Sequence, residues 1–204
     1  MLAIFHKTFA HPPEELHSPA SYAGSKKPKL PEETLKEFLS AHPSETSSMT
    51  FGTNEATFVI EAYRTLRDRG PYPVDQVVKE LDGSFAFVIY DSKVGSVFAA
   101  LGSDGGVKLY WGIAADGSVV ISDDLNVIKA GCAKSFAPFP TGCIFHSEGG
   151  LMSFEHPMNK MKAMPRVDSE GVMCGANFKV DKFTRINSMP RVGSSSNWTE
   201  WDQH

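Results

Sequence analysis

Two segments in the first third of the chain repeat apolar residues at helical spacing. In Pro31–Ala41 the apolar residues Leu35, Phe38 and Leu39 share one predicted face, and a proline suits the first position of a helix. Thr53–Arg69 shows the same period, with a threonine that can cap its N-terminus and arginines in its last turns. Both segments are therefore predicted to be amphipathic helices.

The rest of the chain up to residue 81 is less regular. Val74–Leu81 predicts a third, short helix from the spacing of its apolar residues, and Met1–Phe5 predicts a short buried strand from its apolar content. His11–Lys29 is rich in proline, serine and lysine, a composition that is typical of a loop.

Farther along the chain the apolar pattern becomes that of strands joined by short turns. Three hairpins and a final strand are predicted, namely Ser84–Asp91 with Ser96–Leu101, Val107–Ala114 with Ser118–Ser122, Gly142–Ser147 with Leu151–Glu155, and Val172–Val180. A short helix is predicted at Asp123–Ala130. Because most helices precede the strands and do not alternate with them, the sequence predicts an α+β fold of antiparallel sheets, in which Ser84–Asp91 is a central strand.

Composition places the chain among ordinary globular domains. Of its 204 residues 41% are hydrophobic, and its formal net charge of -4 provides no overall basic field that would attract nucleic acid or an anionic membrane. The short basic run Lys26, Lys27 and Lys29 is most simply a solvated loop. No apolar stretch approaches the roughly 20 residues that span a bilayer, and Met1–Phe9 lacks the basic start of a signal peptide.

The metal-ligating residue types show no metal-binding pattern. The three cysteines, Cys132, Cys143 and Cys174, are odd in number and lack CxxC spacing, which argues against a disulfide framework and a structural zinc site. The seven histidines show no ligand spacing such as HExxH. We therefore expect reduced thiols, no metal or other cofactor, and a cytoplasmic or nuclear location.

The most informative stretch is Leu81–Phe87, which reads LDGSFAF. Asp82-Gly83 predicts a tight turn, because glycine adopts backbone conformations that other residues avoid. The turn leads into a strand that is apolar at successive positions and is therefore expected to be buried on both faces, with Phe85, Phe87 and Ile89 in the core.

This strand belongs to a longer pattern. With the loop LGSDGG at 101–106, the segment KLY at 108–110 and the acidic helix start ISDD at 121–124, it resembles the core of class II glutamine amidotransferases such as asparagine synthetases. The resemblance covers residues 53–155 and implies an N-terminal-nucleophile (Ntn) hydrolase-like layered sandwich of antiparallel β-sheets flanked by α-helices. It also implies vestigial ligand-binding positions at Asn54, Glu55, Asp82, Gly83 and Asp104.

Two of these positions have simpler explanations. Helix capping explains Glu55 equally well, because acidic residues stabilise the first turn of a helix. The segment Asp104-Gly105-Gly106 has the composition of an anion-binding nest, but a plain turn between strands is the simpler interpretation.

A closer resemblance extends over nearly the whole chain. The segments MLAIF at 1–5, HPPEEL at 11–16, LRDRG at 66–70 and FEHP at 154–157 resemble the plant aluminium-induced, stem-specific protein family, which is described by YGL and LRDR motifs. This chain carries LRDR and lacks YGL, because it passes directly from Gly52 to Thr53 where relatives have several dozen further residues. The resemblance implies a stress- or hormone-responsive plant protein with a single amidotransferase-like domain at 1–187, shortened at 52/53, and a disordered tail at 188–204.

The LRDR motif at 66–69 has two explanations. It could be a basic cluster that binds an anion or a partner. The interpretation that we favour is a helix C-terminus, in which cations complement the helix dipole and Arg64 lies i,i+4 from Asp68.

Catalysis is not expected. A class II glutaminase uses the thiol and the free α-amine of a cysteine that directly follows the initiator methionine, and residue 2 here is leucine. The donors of the oxyanion hole would fall in the missing segment. The resemblance therefore predicts a non-catalytic protein that binds a protein partner or a small metabolite. The alternative is a residual amidohydrolase with an unconventional nucleophile.

The junction between Gly52 and Thr53 carries a further expectation. A sheet that loses strands exposes unpaired N–H and C=O groups and apolar side chains. We therefore expect the shortened form to be less stable than its relatives and to form homo-oligomers or aggregates.

Overall fold

The structure is a computed structural model, which describes residues 1–19, 26–42, 53–68, 78–79, 81–169 and 171–186, and only the backbone at 53–56 and 66. Most of the helix predicted at Val74–Leu81 lies outside this description. Within it, Val78 and Lys79 are helical and Leu81 is not. The predicted tail at 188–204 also lies outside the described residues.

Besides the helical pair Val78 and Lys79, the described residues contain three α-helices and ten strands. The helices are α1 (Pro31–Ala41), α2 (Thr53–Asp68) and α3 (Leu125–Cys132). The strands are β1 (Leu2–Phe5), β2 (Ala86–Asp91), β3 (Ser96–Leu101), β4 (Tyr110–Ile113), β5 (Val119–Ser122), β6 (Phe136–Pro138), β7 (Cys143–His146), β8 (Gly150–Ser153), β9 (Asn159–Val167) and β10 (Met173–Arg185). A short 3-10 helix, Glu14–Leu16, interrupts the loop predicted at His11–Lys29.

All strand pairs are antiparallel, and the three predicted hairpins are confirmed as β2–β3, β4–β5 and β7–β8. The strands form two four-stranded sheets, ordered β1-β5-β4-β6 and β2-β3-β7-β8, and a separate β9–β10 hairpin. The main core lies between the two sheets, where Val97 and Phe145 of one sheet meet Trp111 and Ile121 of the other, all of them buried. The rings of Trp111 and Phe145 are 5.5 Å apart between centroids.

A helix covers the outer face of each sheet. Tyr63 of α2 packs against Phe87 and Phe98 of the β2–β3 hairpin, and Ile128 of α3 packs against Val120 of β5. The layers therefore run helix, sheet, sheet, helix, and α1 packs against α3. This arrangement confirms the α+β class, with helices on the outer faces of antiparallel sheets.

The prediction that Ser84–Asp91 is a central strand is wrong for the described sheet, because β2 lies at its edge. Both faces of β2 are nevertheless covered. Phe85, Phe87 and Ile89 belong to the cluster beneath α2, and Val88 packs on the main core. An apolar strand sequence indicates cover on two faces and does not indicate how many neighbouring strands flank it. The edge strand β1 is likewise half-buried instead of fully buried.

The apolar face predicted for α1 is not the face that is buried. Leu35 and Leu39 are 45% and 38% exposed, whereas Thr34 is 3% exposed. A Cβ added to Gly131 of α3 would lie 2.8 Å from the Thr34 Oγ1, so the two helices approach each other closely at this point. Close approach favours small residues, and the packing partner therefore decides which face of α1 is covered.

Several boundaries and two strands differ from the predictions. Helix α3 begins at Leu125 because Asp124 is its N-cap, whose carboxylate accepts a hydrogen bond from the Asn126 N–H at 2.7 Å. Strand β4 begins at Tyr110, and β10 extends well beyond Val180. Strands β6 and β9 were not predicted. The sequence of β9, NKMKAMPRV, contains three cations and a proline, so it lacks the apolar content of a strand.

Candidate functional site

Three of the predicted ligand-binding residues lie together at one end of the β2–β3 sheet. Asp82 and Gly83 form the turn before β2, and Asp104 lies in the loop after β3. The Gly102 N–H donates to the Phe85 carbonyl at 2.8 Å, which holds the turn and the loop side by side. Gly83 has the positive φ of 89° that its predicted turn requires.

The turn and the loop border a cavity of about 340 Å³. Its walls combine apolar side chains with charged groups, namely the carboxylates of Asp82, Asp104 and Glu155 and the ammonium of Lys79. Three negative charges and one positive charge leave a formal charge of −2 on these residues. A cavity of this volume, lined by residues of net negative charge, suits a small ligand that carries an amino group.

The carboxylate of Asp104 is largely occupied by its neighbours. The Ser84 hydroxyl donates a short hydrogen bond to Oδ2, and the Gly106 N–H donates to Oδ1 at 3.2 Å. The hydrogen bond from Ser84 is the main reason that the pKa of Asp104 lies below its usual range, and the bond from Gly106 contributes less. Because this loop satisfies its own N–H group with its own carboxylate, it has the character of a turn and not of an open anion-binding nest.

Asn54 and Glu55 lie in the first turn of α2, where the described backbone is helical. Their side chains are outside the description, so the structure does not place them against the cavity. The binding roles of all five residues, Asn54, Glu55, Asp82, Gly83 and Asp104, therefore stay predictions. Sequence reasoning missed Glu155, although the FEHP segment that contains it marked this position as part of a family pattern.

All three cysteines of the chain are free and buried. Burial raises the pKa of the Cys132 thiol to about 12. Burial, with a smaller contribution from the Glu155 charge, raises the pKa of Cys143 to about 12 as well. Since the thiolate is the nucleophile, thiols with pKa values in this range are unreactive at neutral pH.

The residue at position 2 is part of the sheet. Leu2 lies opposite Ser122 in the β1–β5 pair, and its half-buried side chain packs against the cluster beneath α3. The Met1 ammonium lies 2.7 Å from the Asp123 carboxylate, and the Ser122 hydroxyl donates to the Met1 carbonyl at 2.7 Å. A leucine at this position offers hydrocarbon and no nucleophile.

In the LRDR segment, of which Arg69 lies outside the described residues, Arg67 links α2 to the sheet. The Arg67 Nη1 lies 2.8 Å from the Asp91 Oδ2 at the end of β2, and the Arg67 Nε lies 2.7 Å from the Asp68 Oδ1. The bond from Arg67 is the main reason that the pKa of Asp91 lies below its usual range. Arg64 and Asp68, which have i,i+4 spacing, each contact another residue, because Arg64 lies 2.7 Å from Glu61 and Asp68 pairs with Arg67.

A larger cavity, of about 820 Å³, lies where the loop after β1 meets the β4–β5 turn. Two ammonium groups, two carboxylates and two imidazoles line it, contributed by Lys7, Lys27, Glu14, Asp116, His11 and His17. Because no sign of charge predominates, this cavity favours no particular class of ligand.

The described residues contain no group of three or more His, Cys, Asp or Glu side chains that could hold a metal ion. None of the helices in the described ranges has the length and apolar character that crossing a bilayer requires.

Comparison with known proteins identifies one matching family model and several related proteins. A family model described as "Aluminium induced protein" matches residues 2–54 and 48–180. Stem-specific protein TSJT1 of Nicotiana tabacum is 59% identical over 46 residues, which are 22% of this chain and 31% of that protein. An asparagine synthetase (glutamine-hydrolyzing) of Triphysaria versicolor is 38% identical over 113 residues, 55% of this chain and 19% of the enzyme.

A probable asparagine synthetase (glutamine-hydrolyzing) of Dictyostelium discoideum is 46% identical over 74 residues, 36% of this chain and 13% of the enzyme. The matched region therefore spans less than a third of the length of each of these three relatives.

Proposed function

Because the chain belongs to the aluminium-induced protein family and is similar to part of the glutamine-hydrolyzing asparagine synthetases, we propose that it is a non-catalytic amidotransferase-like protein. It acts by binding a small metabolite or a protein partner, as part of a plant response to stress or hormones. The observation that carries this proposal is that every cysteine of the chain is buried. A buried thiol cannot reach and attack a bound amide.

The layered arrangement supports an Ntn-hydrolase-like sandwich as the fold. Two antiparallel sheets enclose the main core, and α2 and α3 cover their outer faces. The similarity to the asparagine synthetases supports the same assignment. An experimental structure in which the sheets were joined in a different strand order would contradict it.

We expect purified protein to release no ammonia from glutamine above the buffer background. The measurement compares the untreated protein, the protein after thiol alkylation, and a glutamine-hydrolyzing asparagine synthetase as positive control. Ammonia release that disappeared in Cys132→Ala or Cys143→Ala would contradict the non-catalytic proposal. It would favour the alternative, a residual amidohydrolase with an unconventional nucleophile.

We further propose a cytoplasmic or nuclear location and self-association of the shortened form. Phe58 and Ile60 on α2 are 54% and 43% exposed, and exposed apolar groups promote association. Size-exclusion chromatography with light scattering, and thermal melts beside a form with the missing segment restored, test the second point. A monodisperse monomer that melts at the same temperature as the restored form would contradict it.

A further inference from the structure

A second charged cavity, of about 550 Å³, lies between the C-terminal end of α3 and the β9–β10 hairpin. Four cations and one carboxylate line it, contributed by Lys26, Lys129, Lys134, Arg166 and Asp168. Four positive charges and one negative charge leave a formal charge of +3 on the walls of this basic cleft. The local charge is therefore opposite in sign to the net charge of -4 of the whole chain.

The guanidinium of Arg166 is held rigidly at the cleft. Its Nε donates to the Cys174 carbonyl at 3.1 Å, and its Nη2 donates to the Phe136 carbonyl at 2.7 Å. The guanidinium carbon also lies 4.0 Å from the centre of the Phe136 ring. These contacts orient the group without neutralising its charge, because carbonyls and an aromatic ring carry no formal charge. The guanidinium is therefore ordered in advance for an anion.

Another part of the cleft wall contains an unusual turn. Ala133 has φ 51° and ψ -110°, the one positive φ of a non-glycine residue in the described parts of the chain. The Ser135 N–H donates to the Cys132 carbonyl at 2.9 Å and closes the turn. Next in the chain, Lys134 makes a short ion pair with Asp168 on the hairpin. A strained backbone persists only where surrounding contacts enforce it, so this wall has a defined shape.

We propose that the basic cleft binds a small phosphorylated metabolite, whose phosphate group is recognised by Arg166, Lys129 and Lys26. Beside the ammonium groups, the guanidinium supplies a fixed positive charge and N–H donors other than the two that bond to the Cys174 and Phe136 carbonyls, and phosphate oxygens accept from such groups. A formal charge of +3 suits a dianionic phosphate better than a single carboxylate. The volume lies within the usual range for small-molecule sites. This inference rests on the proposed binding role and specifies the class of the ligand.

Calorimetric titration of the intact chain with inorganic pyrophosphate tests the site. We expect saturable binding that weakens as the ionic strength rises. Lys129→Gln and Lys26→Gln should each weaken binding by about tenfold, because each removes one charge-assisted contact. Lys93→Gln is the matched control, because Lys93 is an exposed lysine in the β2–β3 turn and outside the cleft. It should bind as tightly as the unchanged chain.

Equal affinity of the unchanged chain, Lys129→Gln and Lys26→Gln would overturn the proposal, and so would equal losses in all three lysine variants. Binding of acidic peptides without binding of pyrophosphate would overturn it as well, because it would indicate a protein partner. Melting curves of each variant show whether a loss of binding reflects unfolding. Ammonia release, measured on the same preparations, would contradict the non-catalytic proposal alone, whereas the absence of saturable pyrophosphate binding to the unchanged chain would contradict the cleft alone.

Discussion

Replacing Gly112 with alanine is expected to lower the free energy of unfolding by roughly 3 kcal/mol, the upper part of the range for an overpacked core. An added Cβ would lie 2.7 Å from the Cys132 Sγ and 2.8 Å from both the Cys132 Cβ and the Ser135 carbonyl oxygen. Heavy atoms do not pack at such distances, so either α3 or β4 has to move.

Neither element can move easily. Gly112 pairs with Val120 on one side and with Phe136 on the other, so it lies inside its sheet. The Ser135 carbonyl is fixed by a hydrogen bond from the Ile113 N–H at 2.8 Å. Thermal unfolding should show a melting temperature lower by roughly 6–12 °C, since about 1 kcal/mol shifts it by about 2–4 °C in a domain of this size.

Gly149→Ala is the control for this substitution. Its added Cβ would lie 3.4 Å from the terminal methyl group of Met152, which can turn away, and we expect little change in stability. Adding Cys132→Ala to Gly112→Ala should restore only part of the loss, because the Cβ of residue 132 and the Ser135 carbonyl remain. If Gly112→Ala melted like Gly149→Ala, the close contact between α3 and β4 would be wrong.

Replacing Arg67 with alanine is expected to lower the melting temperature by several times the effect of replacing Arg64. Asp91 is 7% exposed, and the loss of Arg67 leaves its carboxylate without its cationic partner. Arg64 instead pairs with Glu61 at an exposed position on the same helix. Loss of an exposed pair should shift the melting temperature by no more than about 2 °C. Thermal melts of Arg67→Ala and Arg64→Ala at equal concentration provide the comparison.

The difference between Arg67→Ala and the unchanged chain should depend on pH. The Arg67 bond lowers the pKa of Asp91 in the folded state, so this pair stabilises the fold fully at pH values above the pKa of an unfolded aspartate, which is about 3.9. The stabilisation is lost as the pH falls through the lower, folded-state pKa. The two melting temperatures should therefore differ most near neutral pH and converge in strong acid. If the difference in melting temperature stayed constant into strong acid, Asp91 would not be the group that Arg67 stabilises.

Local sequence signals predicted those helices and hairpins that are specified by residues close together in the sequence. Helix α1 has the predicted bounds because a proline and two acidic residues specify its first turn. The hairpin β4–β5 formed where Asp116-Gly117 specifies a turn, and Gly117 there has the expected positive φ of 88°. Strand β9 escaped prediction because its pairing with β10, and not its own composition, makes it a strand.

Binding-site residues, too, were predicted only where a local motif marks them. The turn at Asp82-Gly83 and the loop at Asp104 were identified from motifs, and the structure brings them to one cavity. The basic cleft gave no comparable signal, because Lys26, Lys129 and Arg166 are far apart in the chain and form no run. The Lys26, Lys27 and Lys29 run, interpreted as a solvated loop, contributes one residue to the cleft.

The sequence by itself determined that this chain has an α+β fold, that its hairpins close at particular turns, and that leucine stands at position 2. These properties depend on residue type and on neighbours close in sequence. Tertiary structure alone decided that Thr34 and not Leu35 is the buried residue of α1, that Arg67 holds Asp91, and that separate cations surround one cleft. Each of these depends on which distant segments meet, and such contacts are set by packing of the whole chain and not by any local pattern.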